Sequence, residues 1–496
     1  MTNFNDLIIF EMANSHQGDV QHGIEIIKSM AKIARTYGVR AAVKLQYREL
    51  DTFIHPAYKG RQDIKHIPRF ESTRLNYDDF CQLVDAISEE GLIAMSTPFD
   101  EAGVQWCIDQ GLDFIKIASC SSMDWPLMEA AARSGKPLIV SVGGKSISDI
   151  DNIYNFLIHR GCEFAFMHCI AEYPAPEEHI QLDFIDVLKK RYRGIPIGYS
   201  GHENPDDTMI PAMAIAKGAQ IMERHVGLPT ETISLNAYSM NPDQADKWVE
   251  TIVHSRKISA LYGNETKYVS QNEVESLLSL SRGVFVKHSV KKGDSLHKDD
   301  VFFAMPCQKD QMTSSQFYDG VVATQDYKEN DALYERVPYN EIKQARSVIH
   351  DAKGLLLEAG IELGDSFEVE LSHHYGMKHF RQTGAIIIGI INREYCKKLI
   401  IVLPGQNHPE HYHKVKEETF QVLYGDLECV INGEKKRLKA GDIQTVLRGD
   451  VHSFSSKNGA VFEEVSTTHV KNDSYYIDPI IAQKDIMERK TIIKDW

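Results

Sequence analysis

The sequence predicts an α/β protein that begins with a (β/α)8 TIM barrel and continues into two smaller β-rich domains. First, strand-like apolar segments alternate with helical patterns through the first half of the 496-residue chain. Such alternation, with strands apolar on both faces, is typical of a parallel sheet covered by helices. Second, eight of these strands occur before residue 265, which favours a closed barrel over an open sheet. Third, the alternation then stops and short β-like segments with turn glycines follow.

The first predicted domain covers residues 1–265. Its eight predicted strands are Leu7–Ala13, Ala41–Tyr47, Ile93–Pro98, Phe114–Ser119, Leu138–Val142, Phe164–Cys169, Ile195–Tyr199 and Ile221–Val226. Amphipathic patterns such as Val20–Tyr37 and Tyr77–Glu90 lie between them and predict helices. No Gly-x-Gly-x-x-Gly follows the first strand, which disfavours a dinucleotide-binding open sheet.

Two further domains are predicted after the barrel. The composition turns polar over residues 264–282, and residues 283–338 then form a small β-like domain. A helical connector over residues 340–359 leads into the third domain, residues 345–496, which is rich in strands and turn glycines.

The bulk composition excludes several classes of protein. A formal charge of −15 and a pI near 5.8 argue against non-specific binding to nucleic acid or to an anionic membrane. Eight scattered cysteines without a Cys-x-x-Cys pair are typical of reduced thiols rather than of a disulfide framework. No signal-peptide pattern opens the chain, and the longest apolar run, Ala385–Ile391, is too short to span a bilayer. We expect a cytoplasmic protein.

Two strands of the barrel end in histidine. Gly-Tyr-Ser-Gly-His202 and Met-Glu-Arg-His225 place the two imidazoles 23 residues apart, with a helical stretch between them. In a (β/α)8 barrel both would face the side where loops build the active site. The pair predicts a two-histidine metal site, with two structural histidines as the alternative.

Two lysines lie inside apolar barrel strands. A charge at such a position is costly unless it is paired or functional, and Lys44 and Lys116 both occupy one. Serine and threonine hydroxyls follow neighbouring strands. We interpret the set as a cationic cup for a phosphate and a carboxylate. The alternative is a pair of structural lysines neutralised by barrel carboxylates.

Residues 1–265 resemble the N-acetylneuraminate (sialic acid, nonulosonate) synthase family in the order and spacing of several motifs. These are Phe-Glu11-Met-Ala-Asn14-Ser-His16, Val-Lys44-Leu-Gln46, Ser-Thr97-Pro98-Phe-Asp100, Ile-Lys116-Ile-Ala-Ser119, Met-His168-Cys-Ile-Ala-Glu-Tyr173-Pro174, Gly-Tyr-Ser200-Gly-His202 and Glu223-Arg-His225. Residues 283–338 are similar to the SAF (antifreeze-like, β-clip-like) domain of that family. The resemblance implies condensation of phosphoenolpyruvate (PEP) with the open-chain aldehyde of an aminosugar, a divalent metal such as Mn2+, and a domain-swapped homodimer.

The resemblance also implies a role for each matching residue. His202 and His225 would hold the barrel metal. PEP would be bound by Lys44, Thr97, Lys116, Ser119, Ser141 and Ser200. The catalytic set would be Glu11, Lys44, Lys116, Tyr173 and Glu223, with Glu11, Tyr173 and Glu223 flanking the sugar and the reacting carbons. PEP C3 would attack the aldehyde carbon, water would add at PEP C2, and phosphate would leave by C–O cleavage.

The departures from the family pattern cluster at the sugar end. They are Cys120-Ser121-Ser122 in place of an acidic residue, Ala171 in place of a sugar-contacting Asn, Ile233-Ser-Leu235-Asn236 in place of Gly-Pro-Asp-His, and Ala304-Met-Pro306 in place of Arg-Pro-Gly. We hypothesise an acceptor other than N-acetylmannosamine, with misaligned loops as the alternative. The basic loop over residues 55–74 is either a lid for an anionic substrate or a solvated loop.

The third domain fits the two cupin motifs, which predict an all-β double-stranded β-helix. They are Gly405-x5-His411-x-His413-x4-Glu418-x6-Gly425 and Gly441-x7-Gly449-x2-His452. The pattern His-x-His puts both imidazoles on one face of a strand, and Glu418 and His452 come from neighbouring strands, with Glu417 as an adjacent alternative to Glu418. Three histidines and one carboxylate can hold Mn, Fe, Ni or Zn. Further strings resemble D-lyxose-isomerase-like cupins and suggest a module that handles sugars.

Three alternatives stay open. The barrel could belong to an aldolase or a PEP-using synthase of the 3-deoxyheptulosonate type. The protein could be a non-catalytic sugar sensor. It could also be bifunctional, with the cupin acting as a sugar isomerase.

Overall fold

The computed structural model describes residues 4–259, 269–364 and 367–494. The chain divides into two compact units, residues 1–260 and residues 261–496. Within the described residues, no helix combines the length and the apolar character that crossing a membrane requires.

The first unit is a closed parallel barrel of eight strands in sequence order, and pairing of the first strand with the eighth closes it. The strands are β1 Ile8–Glu11, β2 Ala41–Tyr47, β3 Ile93–Pro98, β4 Phe114–Ile117, β5 Leu138–Ser141, β6 Phe164–Cys169, β7 Ile197–Gly201 and β8 Ile221–His225. The predicted barrel is confirmed. Strand β7 continues to Gly201 rather than ending at Tyr199, because backbone pairing with β8 extends past the apolar run to Ser200 and Gly201.

Ten helices of the barrel unit lie in the described residues. They are α1 Val20–Tyr37, α2 Leu50–Phe53, α3 Ile67–Ser72, α4 Tyr77–Glu89, α5 Glu101–Asp109, α6 Trp125–Arg133, α7 Ile147–His159, α8 Asp183–Arg191, α9 Met209–Ala216 and α10 Pro242–Ser259. Side-chain caps mark the starts of several of them, as where Asp19 accepts from the backbone of Gln21 and His22.

Apolar side chains fill one end of the barrel interior, and polar side chains occupy the other end. One buried cluster joins Ile9, Ala42, Phe114 and Ile221 from four strands. Because strand side chains alternate between faces, the residue two positions further along each strand points the same way. Those residues are Glu11, Lys44, Lys116 and Glu223. The fold therefore brings charged groups from separate strands together at the carboxyl end of the barrel.

The second unit begins with helix α11, Gln271–Leu280, and four short strands. Strands β9 (Gly283–Val286) and β11 (Val301–Ala304) pair antiparallel, as do β10 (Ser295–Leu296) and β12 (Val321–Val322). Their buried apolar residues form a cluster of their own. Helix α12, Glu341–Glu358, follows, which confirms the predicted helical connector.

An eleven-stranded antiparallel sheet forms the rest of the second unit, as expected for a cupin. Its strands are β13 Glu368–Ser372, β14 Ala385–Asn392, β15 Tyr395–Val402, β16 Gln406–Tyr412, β17 Glu418–Ile431, β18 Glu434–Lys439, β19 Ile443–Val446, β20 His452–Ser456, β21 Ala460–Thr467, β22 Tyr475–Tyr476 and β23 Lys490–Lys494. The short helix α13, Pro479–Ala482, precedes β23. Two buried apolar clusters support this sheet, one of which includes residues of α12.

Candidate active site and candidate metal centre

A buried network of two lysines and two glutamates occupies the carboxyl end of the barrel. Lys44 Nζ lies 2.5 Å from Glu11 Oε2 and 2.8 Å from Glu223 Oε1. Lys116 Nζ lies 2.7 Å from Glu223 Oε2. Strand register sets these contacts, since Glu11 pairs with Lys44 across β1 and β2. The four charges balance, which is how a barrel interior tolerates them.

Burial changes the proton affinities within this network. It lowers the pKa of Lys44 to about 7, against the opposing attraction of Glu223. Burial alone would raise the pKa of Glu223, but Lys116 and Lys44 outweigh it and hold that pKa well below its usual range. Near neutral pH, Lys44 is therefore an ammonium that loses its proton readily, beside a carboxylate that stays ionised.

The two predicted metal histidines lie side by side. The ring centroids of His202 and His225 are 5.5 Å apart. His202 Nδ1 lies 2.9 Å from the carbonyl oxygen of Ile170, a contact that requires Nδ1–H as the donor and leaves Nε2 as a free lone pair. Burial lowers the pKa of His202 to about 4 and that of His225 well below its usual value. Neutral imidazoles with an oriented tautomer fit a divalent cation.

The predicted PEP-binding hydroxyls line the same end of the barrel. Ser200 Oγ donates to Glu223 Oε1 at 2.8 Å, and Ser119 Oγ accepts from the backbone N–H of Gly143 at 3.0 Å. Ser141 ends β5 and is buried. Thr97 Oγ1 is buried without a hydrogen-bond partner among the described residues, so it can still bind a substrate atom.

Tyr173 lies at the outer edge of this site. Its ring is 4.3 Å from that of His202 and its exposed fraction is 55%, so its hydroxyl can reach a ligand that enters from solvent. Tyr238, which sequence reasoning missed, packs 5.0 Å from the ring of His225 and 5.2 Å from that of Tyr173. Nothing in the local sequence around Tyr238 distinguishes it from an ordinary loop tyrosine.

A second buried ion pair supports the strands that carry the histidines. Arg224 lies 2.9 Å from Glu203 Oε1 and also donates to the backbone oxygens of Glu203 and Asn204. It alternates with Glu223 and His225 along β8 and therefore faces away from the barrel interior. The Arg224–Glu203 pair ties the end of β8 to the segment after β7.

The cupin ligands also converge. His411, His413 and His452 offer ring nitrogens that lie within 4.8 Å of one another. Glu418 is 3.3 Å from His413 Nε2 and 3.2 Å from His452 Nε2. Each of the three imidazoles points Nδ1 at a backbone carbonyl, those of Pro409, Asp473 and Asp450.

This hydrogen bonding tests whether the cupin site fits a metal. With Nδ1–H donated to the backbone, Nε2 of each histidine carries a lone pair. The Nε2 atoms of His413 and His452 are buried and lack a hydrogen-bond donor or acceptor within the described residues, yet they face the Glu418 carboxylate. Lone pairs facing a carboxylate repel one another unless a cation lies between them. The donor set therefore fits a divalent transition metal.

Sequence reasoning missed a buried network beside the cupin histidines. Lys416 contacts Glu418, and its Nζ lies 3.0 Å from Glu464 Oε1. Lys398 Nζ lies 3.2 Å from the same Glu464 oxygen and 3.4 Å from His469 Nδ1. Period-two alternation in the β21 string Phe-Glu-Glu-Val-Ser could have identified Glu464 as inward-facing.

A barrel whose carboxyl end joins two buried lysines, two balancing glutamates and two neutral histidines is typical of an enzyme that acts on a small anionic substrate. Residues 30–267 match the NeuB family, and residues 398–463 match the cupin domain. A solved structure from Chromobacterium violaceum, described as spore coat polysaccharide biosynthesis protein E, is 41% identical. That match covers 66% of this chain and 98% of the other, with a TM-score of 0.63.

Two curated relatives carry functional names. Human N-acetylneuraminate-9-phosphate synthase is 27% identical over 300 residues, which is 59% of this chain and 81% of the relative. N,N'-diacetyllegionaminic acid synthase of Campylobacter jejuni is 24% identical over 339 residues, 66% of this chain and 99% of the relative. The chain belongs to the NeuB family. Membership confirms the resemblance to sialic acid synthases and the prediction of a PEP-condensing transferase.

Proposed function

We propose that the barrel condenses PEP with the open-chain aldehyde of a sugar to give a nonulosonate-type 2-keto acid and phosphate. The observation that carries the proposal is the buried network of Lys44, Lys116, Glu11 and Glu223 beside His202 and His225. Two ammonium groups held at fixed positions suit a substrate that carries both a phosphate and a carboxylate.

The residues of the site divide into two groups. Lys44 and Lys116, with the hydroxyls of Thr97, Ser119, Ser141 and Ser200, would bind PEP. Because the two lysines already balance two glutamates, PEP requires further positive charge. A divalent cation on His202 and His225, for which we propose Mn2+, would supply that charge and act as a Lewis acid toward the aldehyde.

The reaction forms a carbon–carbon bond between PEP C3 and the aldehyde carbon. The aldehyde oxygen takes up a proton, water adds its oxygen at PEP C2, and the C–O bond to phosphate breaks. Glu11 and Glu223 would hold the lysine ammonium groups in place, and Glu11 would accept the proton that the attacking water releases. Lys44, with its pKa near neutrality, is the matching proton donor. Tyr173 would contact the sugar at the mouth.

We also propose that the acceptor differs from N-acetylmannosamine. The PEP end of the site retains every residue of the family pattern, whereas Ser121 and Ala171 replace its sugar-end residues. A hydroxyl and a methyl group cannot repeat the contacts of a carboxylate and an amide. Rapid and selective turnover of N-acetylmannosamine would refute this part of the proposal.

The primary test is PEP consumption with Mn2+ across N-acetylmannosamine, diacetamido-trideoxyhexoses, mannose and pentoses. Turnover with one sugar that His225→Ala abolishes, and that Lys217→Ala preserves, would establish the synthase. Lys217 is a suitable control because it pairs with Asp183 and Asp186 outside the network. Bridging-oxygen-labelled PEP should deliver its label to phosphate. No PEP consumption with any sugar would favour the sensor alternative.

For the cupin we propose a divalent metal on His411, His413, Glu418 and His452, and a sugar as ligand. Metal analysis of the purified chain should find two ions per chain. His225→Ala should remove one of them and His411→Ala the other. Retention of both ions in His411→Ala would refute the cupin site.

One observation favours the bifunctional alternative. Glu464 lies between Lys398 and Lys416, and Lys416 also contacts the ligand Glu418, so groups that can move protons adjoin the metal site. Aldose–ketose isomerisation moves a proton between neighbouring carbons and needs such groups. Ketose formation by His225→Ala protein, lost on Glu464→Gln, would establish it.

Three further assignments follow from the family resemblance. We propose that residues 283–338 form a SAF-type domain between the barrel and a cupin domain over residues 345–496. We propose a domain-swapped homodimer in the cytoplasm. Light scattering of the eluted protein tests the dimer, and a monomeric mass would refute it.

A further inference from the structure

Most basic residues around the segment that follows β2 are already neutralised. Lys59 and Arg74 both pair with Asp51, and Arg61 pairs with Asp63. Arg69 donates to the backbone oxygen of Asn14 at 3.3 Å. Three of these cations therefore have carboxylate partners and Arg69 contacts oxygens of uncharged groups, which weakens the interpretation of the loop as an anion-binding lid.

Arg48 is different. It follows the last residue of β2 and has no ion pair within residues 4–259, 269–364 and 367–494. Its Nε is buried without a hydrogen-bond partner in that part of the chain. Burial lowers the pKa of Arg48 to about 10, so the group remains charged at neutral pH. Asp100 attracts this guanidinium without forming an ion pair with it, so its N–H groups can still bind an anion.

Two aromatic rings hold the Arg48 guanidinium. Its central carbon lies 3.6 Å from the ring centroid of Phe99 and 4.2 Å from that of Phe70. The rings restrain the guanidinium by contact with its faces and leave the N–H groups at its edge as the donors. A guanidinium held in this way can donate two parallel hydrogen bonds to two oxygens of one carboxylate or one phosphate.

The position of Arg48 connects it to the reacting centre. Its Nη1 donates to Gln46 Oε1 at 3.0 Å, and Gln46 Nε2 approaches Glu11 Oε1 at 3.5 Å. Arg48 also lines a small cavity with Asn14 and His16, which follow β1. The guanidinium is therefore one side chain away from the catalytic network, on the same end of the barrel.

We infer that Arg48 is a specificity-determining residue that binds an anionic substituent, a carboxylate or a phosphate, on the acceptor sugar. The inference rests on the proposed PEP condensation. It extends that proposal by naming the class of acceptor as an acidic or phosphorylated sugar. We assign the PEP anion to Lys44, Lys116 and the cation on His202 and His225, which leaves Arg48 for the second substrate.

The competing explanation is structural. Arg48 could serve only to pack Phe70 of α3 and Phe99 against the end of β2. That role predicts a loss of stability on substitution but no change in preference between charged and neutral sugars. The ratio of specificities for matched sugars therefore distinguishes the two explanations.

The experiment measures PEP consumption by the full chain with mannose, mannose 6-phosphate and mannuronate, and with N-acetylmannosamine and its 6-phosphate. We expect a higher kcat/KM for at least one of the anionic sugars than for the neutral sugar it matches. Comparison of the uronate with the phosphates identifies which anionic group is bound.

Arg48→Gln should raise KM for that sugar by about ten- to hundredfold, as for lost hydrogen bonds to a charged group. Neutral sugars should change by less than about threefold. Arg48→Lys should give an intermediate KM for the anionic sugar, because lysine keeps the positive charge but lacks the paired N–H donors of the guanidinium.

Arg74→Gln is the matched control, because Arg74 lines the same cavity but already pairs with Asp51. Arg74→Gln should leave the preference for anionic over neutral sugars unchanged. An unchanged preference in Arg48→Gln, or equal loss for neutral and charged sugars, would overturn the inference. If Arg48→Gln does not fold, Arg48→Met tests the same ratio with a stem that still fits between the rings.

Calorimetric titration of mannose 6-phosphate, mannuronate and mannose into the PEP-loaded protein separates this inference from the proposed function. Absence of turnover with every sugar would refute the condensation. Binding of an anionic sugar that Arg48→Gln removes would still support Arg48 as the anion site. Failure of the wild-type protein to bind either anionic sugar would overturn it.

Discussion

The barrel site and the cupin site use the same three kinds of side chain in different arrangements. In the barrel, two histidines adjoin two lysines and two glutamates that come from separate strands. In the cupin, three histidines and Glu418 face one another closely, and the lysine–glutamate network lies beside them. We assign the barrel arrangement to the binding of two substrates and the cupin arrangement first to the coordination of a metal.

The largest expected effect is a loss of PEP consumption that occurs when the barrel lysine network is changed but not when the cupin one is. Lys116→Met removes one of two charges that we assign to PEP, so PEP consumption should fall about 10²–10³-fold. Lys416→Met removes the corresponding cupin cation and should leave PEP consumption within about twofold, because the two units have separate hydrophobic cores. Initial rates with saturating sugar check both. Equal losses in the two variants would contradict the division of roles.

Removal of the cupin metal should mainly affect stability. A metal present at a hundred times its Kd stabilises the folded state by about 2.7 kcal/mol. In His225→Ala protein, which lacks the proposed barrel metal, adding His411→Ala should lose that increment and make the thermal transition insensitive to a chelator. Thermal unfolding with and without chelator measures it, and His350→Ala, on helix α12, added to the same His225→Ala protein is a matched control. A chelator response that persists in the His225→Ala/His411→Ala double variant would contradict the assignment.

The pH dependence should report the barrel network. The free enzyme binds PEP best with Lys44 charged, and burial lowers the pKa of Lys44 to about 7. The value of kcat/KM for PEP should therefore fall as pH rises above about 7, with a slope approaching tenfold per unit. Initial rates at low PEP concentration measure the profile. A profile flat up to about pH 9 would show that Lys44 keeps its ordinary pKa in the free enzyme.

The smallest effects should come from helix caps, one in each unit. Ser146 accepts from the backbone of Asp149 at the start of α7, and Asn340 accepts from that of Lys343 at the start of α12. Either residue changed to Ala should cost about 1 kcal/mol of unfolding free energy. Denaturant unfolding measures the cost, and both proposed activities should remain. A loss of several kcal/mol of unfolding free energy would contradict the interpretation that each side chain only satisfies backbone N–H donors at the start of its helix.

Several features of the site were predictable because they depend on local patterns. Inward-facing residues recur every second position along a strand, so Lys44 and Lys116 could be assigned to the barrel interior from their apolar neighbours. The spacing of His411, His413 and Glu418 likewise predicted convergence on one centre, and the structure brings these groups together. Tyr238 and Glu464 were missed, because a loop conformation and pairing between distant strands position them.

Hydrophobic periodicity and motif spacing act within short stretches of chain, so they predicted the eight-stranded barrel, the cupin sheet and the candidate ligands. Which charges neutralise one another follows only from the folded arrangement. The fold pairs Lys116 with Glu223 across 107 positions, and it places Arg48 between two phenylalanines without an ion pair in the described part of the chain. Electrostatic interactions depend on distance in space and on burial, and neither quantity can be calculated from the order of residues alone.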